Sequence, residues 1–256
     1  MSKIVPLTTT EFASKRWQRS QGYPFAASDT VCPLVLQELP KAAMVMPIGF
    51  MTQNDQYVPI AVQGIQPGQN LLVAPDGRWL VSYIPAAYRS YPFALGQTEE
   101  GQQILCIDEE CDLISESEGE PFFDEDGEPT KAVQQIFNFI GEVHKNRQIT
   151  QRICATLKQH ELFEPWPIKL KSGETEKPVA GLYRINEKQL NNLGDEDFAA
   201  VRQAGALPLI YCQLLSMQHL PVLAQLAGKR HPQKEADPVP DIDKLFGEGN
   251  DLFHFD

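Results

Sequence analysis

Prolines at positions 40, 47, 59, 67, 75 and 85 forbid any long helix in that stretch. Each lacks the amide that an α-helix needs and collides with the turn before it. Residues 31–107 therefore read as β-rich. Apolar runs at 70–74 and 78–83 flank Pro75-Asp76-Gly77, which supplies the dihedrals of a tight turn. That pattern predicts an antiparallel hairpin over 70–83 with Trp79 as a core anchor. Strands are expected at 56–62 and 102–107, and a helical turn at 86–91. Residues 1–30 read as an irregular arm that packs through Trp17, Tyr23 and Phe25.

The period changes after Pro129-Thr130. Val133, Ile136, Phe137, Ile140 and Val143 fall on one helical face, and Ile149, Ile153 and Leu157 extend it. A kink is expected near Gly141 and a stop at Glu164-Pro165-Trp166-Pro167. Residues 168–183 read as two strands around Lys171-Ser172-Gly173. A short helix opens at Ile185-Asn186-Glu187, and Asp195 is the expected N-cap of a helix over 196–204. Residues 209–226 read as a final core helix, broken at Pro221 and too short and mixed to span a membrane. The expected class is α+β: a β-rich N-terminal part packed with a helical C-terminal part on one shared core, a single domain over 1–228. After Gly228, Pro232, Pro238 and Pro240 and many acids predict a flexible acidic tail over 229–256. Two apolar clusters in it, Ile242 with Leu245 and Phe246, and Leu252 with Phe253 and Phe255, are candidate docking motifs.

Eleven carboxylates crowd residues 104–130, with no Lys or Arg between Arg89 and Lys131. Such a segment must be solvated, bind a cation or face a basic partner. Net charge is 22 − 34 = −12, which disfavours nucleic acid and anionic membrane and equally serves solubility. Asp124-x-Asp126-Gly127 resembles the middle of a calcium loop. An EF-hand in that register would place Phe122 first and Val133 twelfth, where carboxylates are required. Asp124, Glu125 and Asp126 are therefore candidate partner contacts, and no metal is assigned. The five cysteines show no zinc spacing and read as reduced thiols of a cytoplasmic protein, with export lacking an N-terminal signal as the alternative. No two histidines pair at ligand spacing, and no nucleophile elbow, phosphate loop or dinucleotide fingerprint occurs. Arg78, Trp79 and Arg89 could line a pocket, but a Trp anchor with solvated arginines explains them better. No catalytic residue and no cofactor is assigned.

Several stretches resemble the SapC-like family of bacterial proteins. They include Pro33-Leu-Val-Leu-Gln-Glu-Leu-Pro, Gly64-Ile-Gln-Pro-Gly-Gln-Asn-Leu-Leu-Val, Tyr91-Pro-Phe-Ala-Leu, Gly119-Glu-Pro-Phe-Phe-Asp-Glu-Asp-Gly-Glu-Pro-Thr, Gly181-Leu-Tyr-Arg-Ile-Asn-Glu and Leu209-Ile-Tyr-Cys-Gln-Leu-Leu-Ser. The resemblance covers residues 1–228. In that family the tyrosine matching Tyr211 is commonly followed by Ala-His, whereas here Cys212-Gln213 follows. The resemblance implies a link to surface-layer proteins and to flavin-dependent halogenase-like neighbours, but no reaction. With no catalytic motif, the expected function is a non-catalytic binding or accessory protein that contacts a protein partner through the acidic loop and the tail. The alternatives are a surface-layer-associated protein and a peptide-directed enzyme or halogenase-associated subunit.

Overall fold

A computed structural model describes residues 3–172, 175–178 and 181–230. The tail candidates Ile242, Leu245, Phe246, Leu252, Phe253 and Phe255 lie outside the described residues. The chain opens with β1 (Ile4–Pro6), α1 (Thr9–Phe12), β2 (Arg16–Trp17) and β3 (Val31–Pro33). It continues through α2 (Leu39–Ala42), β4 (Ile48–Gln53), β5 (Gln56–Val62), α3 (Ala86–Arg89), β6 (Phe93–Gln97) and β7 (Gln103–Asp108). β8 (Ile114–Ser115) and β9 (Glu120–Pro121) carry the acidic segment, and α4 (Lys131–Gln159) follows. Then come β10 (Phe163–Pro165), β11 (Lys169–Ser172), β12 (Thr175–Pro178) and β13 (Tyr183–Ile185). The chain closes with α5 (Glu187–Asn191), α6 (Asp195–Gln203), α7 (Leu207–Ser216) and α8 (Leu220–Arg230). Sheets dominate the first half and helices the second, so the class is α+β.

Five strands pair in the order β10-β13-β4-β5-β3, and three in the order β1-β7-β6. A third small sheet runs β8-β2-β9, and β11 pairs with β12. The N-terminal arm is therefore not irregular. β1 pairs with β7, and β2 threads between the two strands of the acidic segment with Trp17 only 2% exposed.

The β-rich and helical parts share one core, as expected, and a second, smaller cluster stands beside it. The larger cluster centres on Ile48, Phe50, Ile60, Leu71 and Leu157; the smaller gathers Phe12, Trp17, Phe93, Ile107 and Phe122. One helix serves both. α4 contributes Val133 and Ile140 to the small cluster and Ile153, Cys154 and Leu157 to the large one. Thr130 caps it, its hydroxyl oxygen accepting from Val133 N–H, and Gly141 does not interrupt it. Between the clusters the buried arc turns polar. Asn146 and Thr150 take the inward positions while Ile149 is 39% exposed, off the expected face. The reason is a one-turn 3₁₀ segment over Leu36–Glu38 that presents bare amides to α4. Thr150 Oγ1 accepts from Leu36 N–H at 2.9 Å and Asn146 Oδ1 from Gln37 N–H at 3.0 Å.

Other expectations need correction. The 70–83 hairpin is reduced to one bridge, Val73↔Trp79, with Ala74 N–H donating to Arg78 O and Leu80 N–H to Leu72 O. The buried Asn70 amide replaces the ladder: it donates to Ala26 O and Gln63 Oε1 and accepts from Leu72 N–H. Trp79 is half-buried and donates its indole N–H to Tyr83 O at 2.7 Å. α4 ends at Gln159, with Glu161 at positive φ (56°), before the Pro165 signal. Pro165 instead closes edge strand β10, where a missing donor costs no ladder bond. Gly194 is the N-cap of α6, and Asp195 sits in its first turn, where a carboxylate suits the helix dipole. Lys229 and Arg230 belong to α8 rather than to the tail, and Arg230 donates to Asn70 O and Val73 O. The helical run Leu207–Arg230 is long and apolar enough, by length and composition only, to cross a membrane, with 28% of its most apolar window buried. Within it, Gln213 and Ser216 are fully buried in hydrogen bonds to the sheet.

Candidate binding cleft

The two clusters part over the polar middle of α4, and the gap between them is a cleft of about 740 Å³. Its floor is one face of α4, with Phe139, Val143, His144, Arg147 and Gln151. One wall is β6 along its whole length. The other is the first half of β5, from Tyr57 to Pro59, with the 33–38 turn beside it.

Both strand walls present unpaired main chain. In β6, Thr98 N–H donates to Gln102 O and Asp108 N–H to Pro92 O, each at 2.9 Å. Antiparallel ladders alternate, so the even residues of β6 bond β7 while Leu95 and Gln97 turn their amides and carbonyls away from it. β6 is the edge of its sheet, and among the described residues those outward groups meet no partner. Gly96 lets that strand lie close to Cys106: a Cβ there would lie 2.5 Å from its Sγ. In β5, Leu34 N–H donates to Pro59 O and Val62 N–H to Pro47 O. The same alternation points the main chain of Tyr57 away from β4, beyond the end of β3. The amide missing from Pro59 falls on this outer side, which is why a proline is tolerated inside the strand.

Charge in the cleft is uneven. Glu38 is 4% exposed, and its carboxylate meets three protein donors. It accepts from Val35 N–H at 3.1 Å, Tyr83 Oη at 2.8 Å and Ala86 N–H at 2.6 Å. Burial first, then the Glu38 charge, raise the Tyr83 hydroxyl well above its usual range, so it stays a donor. Arg147 makes no hydrogen bond or ion pair with a described residue, and its neighbour His144 meets only Gln148. Glu38 is buried and Arg147 is exposed, so the charge the cleft turns toward a guest is positive, in a chain of net charge −12.

The sequence model of the SapC family matches residues 7–223. The chain belongs to the SapC family. No curated protein and no solved structure matches it. Every wall of the cleft lies within the SapC match. So does position 213, where the resemblance leads to the expectation of a histidine. Gln213 is 0% exposed: its Oε1 accepts from Ile185 N–H at 3.0 Å and its Nε2 donates to Ile48 O at 3.2 Å. It ties β13 to β4 from inside the core and lines no site.

The acidic candidates stand elsewhere. Phe122 and Phe123 bury the base of a hairpin, while Asp124, Glu125 and Asp126 ride exposed on its tip. Asp124 Oδ1 accepts from Asp126 N–H at 3.1 Å and Glu128 N–H at 2.9 Å, so this carboxylate shapes the turn. Among the described residues no three His, Cys, Asp or Glu side chains are grouped to hold a metal. The cations nearest the segment are the chain's own: Lys3 pairs with Glu109, Arg16 Nη1 donates to Gly119 O, and Arg19 lies 4.0 Å from Glu120. Gly119 lies against β2 at φ +106°, where a Cβ would come within 2.3 Å of Trp17 O. Asp108, expected in solvent, is 6% exposed and accepts from the amides of Lys3 and Glu110. Arg78 pairs with Asp76, and Arg89 lies over the Tyr83 and Phe139 rings; neither joins Trp79 in a pocket. Sequence reasoning missed Tyr57, Leu95, Gln97, His144 and Arg147. One signal was available: polar residues at 144, 147 and 151 interrupt the apolar face of α4 without ending the helix.

Proposed function

We propose that this chain is a non-catalytic binding or accessory protein whose contact surface is the cleft, which takes a segment of a partner protein. The observation that carries the reading is the pair of strand walls with unpaired main-chain groups on one concave surface. Unpaired edges are templates for another chain. The acidic hairpin tip is a second contact surface in this reading, suited to a basic rim on the partner. Surface-layer association, or the company of a flavin-dependent halogenase-like protein, would be settled by the partner's identity. Cytoplasmic residence is part of the same proposal.

The test is a photo-crosslinking amino acid placed at Val143 in living cells, with Lys188 on exposed α5 as control. A protein adduct specific to position 143 is expected, and its absence would remove the reading. Chemical change of the captured segment by the purified chain would replace binding with the enzymatic alternative.

A further inference from the structure

We infer that the cleft binds its partner segment as an added β-strand on β6, with an acidic residue of that segment against Arg147. This rests on the binding reading above and specifies the occupant. The argument begins with what the walls offer. Leu95 and Gln97 present donors and acceptors at the two-residue period of a strand edge, and only another extended main chain matches that row. A helix satisfies its own amides internally and would leave these groups unpaired. The dimensions agree. β6 is 5 residues long, about 17 Å at the strand rise, so it pairs with a segment of about five extended residues. The volume of about 740 Å³ suits a short segment rather than a folded surface.

Charge selects the side chains. Glu38 is 4% exposed and turned into three protein donors, so burial keeps its carboxylate from reaching a guest. Arg147 remains without an ion pair at the same cleft, and its planar fork fits a carboxylate. Phe139 and Val143 meet the apolar side of the segment. The partner is thus an extended segment that alternates apolar and polar residues and carries an Asp or Glu.

The probe is a random dodecapeptide phage library selected on the full chain. Selected peptides are synthesised and mapped with the crosslinker at Val143. Each is then N-methylated one residue at a time. This alters the ligand and leaves the protein's folding untouched. Methylation at alternating residues should weaken binding about tenfold, and methylation at the intervening residues should change little. Arg147→Glu should cost acidic peptides about tenfold, with Arg147→Lys retaining most of the affinity. Peptides that crosslink at Val143 but show no alternation would overturn the added strand while leaving the binding reading intact. Indifference to Arg147→Glu would overturn the acidic contact. If no selected peptide labels position 143, both inference and reading fall.

Discussion

Gln213 shows how a residue that departs from an expected pattern can be a joist. β13 and β4 pair through a single register position, Tyr183↔Phe50. The Gln213 amide supplies the cross-links the ladder lacks. Gln213→Ala would strand a buried donor and a buried acceptor, so we expect a loss of about 2–4 kcal/mol in urea unfolding. Gln213→His keeps one donor and one acceptor and should lose less. Cys32 and Cys154 carry a pH signature. Burial pushes both thiols up to about 12, from 9.0 in the open chain. Below pH 9 folded and unfolded chains both hold these protons. As pH rises from 9 toward 12 the unfolded chain releases protons that the folded chain keeps, so the folded state loses stability. Urea midpoints across that range should fall, and fall less when both cysteines are replaced by alanine. The sequence named these cysteines reduced thiols, but burial, which sets their acidity, is a property of packing and not of spacing.

At the scale of elements, α4 was legible at its start and in its apolar period, and misread in the middle and at its stop. The Thr130 cap and the apolar period to Leu157 are local signals. The inward turn of Asn146 and Thr150 is not, because it answers bare amides more than a hundred residues away. Thr150→Val with Asn146→Ala should cost about 2–4 kcal/mol and speed hydrogen exchange at Leu36 and Gln37. The turn between β4 and β5 was a readable signal left unused. Asn54 and Asp55 both sit at positive φ, as a two-residue hairpin loop requires. In the acidic hairpin, Asp124 is spent on two amides. Calorimetric titration should therefore show no low-micromolar calcium binding, and Asp124→Ala should cost about 1–2 kcal/mol. Low-micromolar binding lost on Asp124→Asn would overturn the first expectation.

For the whole molecule, composition and proline placement were enough for the α+β order, but not for the division of the core. Two clusters need contacts between distant strands, and periodicity within one segment is blind to those. The C-terminal boundary was misplaced for the same reason: Arg230 looks like tail composition, yet it holds the carbonyls of Asn70 and Val73. A chain ending at Gly228 should melt below one ending at Arg230, by about 1–3 kcal/mol at the midpoint. The same long-range logic governs the rod that joins the clusters. With one end of α4 fixed in each, the distance between the cleft walls is held by an unbroken column of helical hydrogen bonds. Such a part works as a calliper locked at one setting. It sets how thick a guest can be, before main-chain pairing or charge has any say.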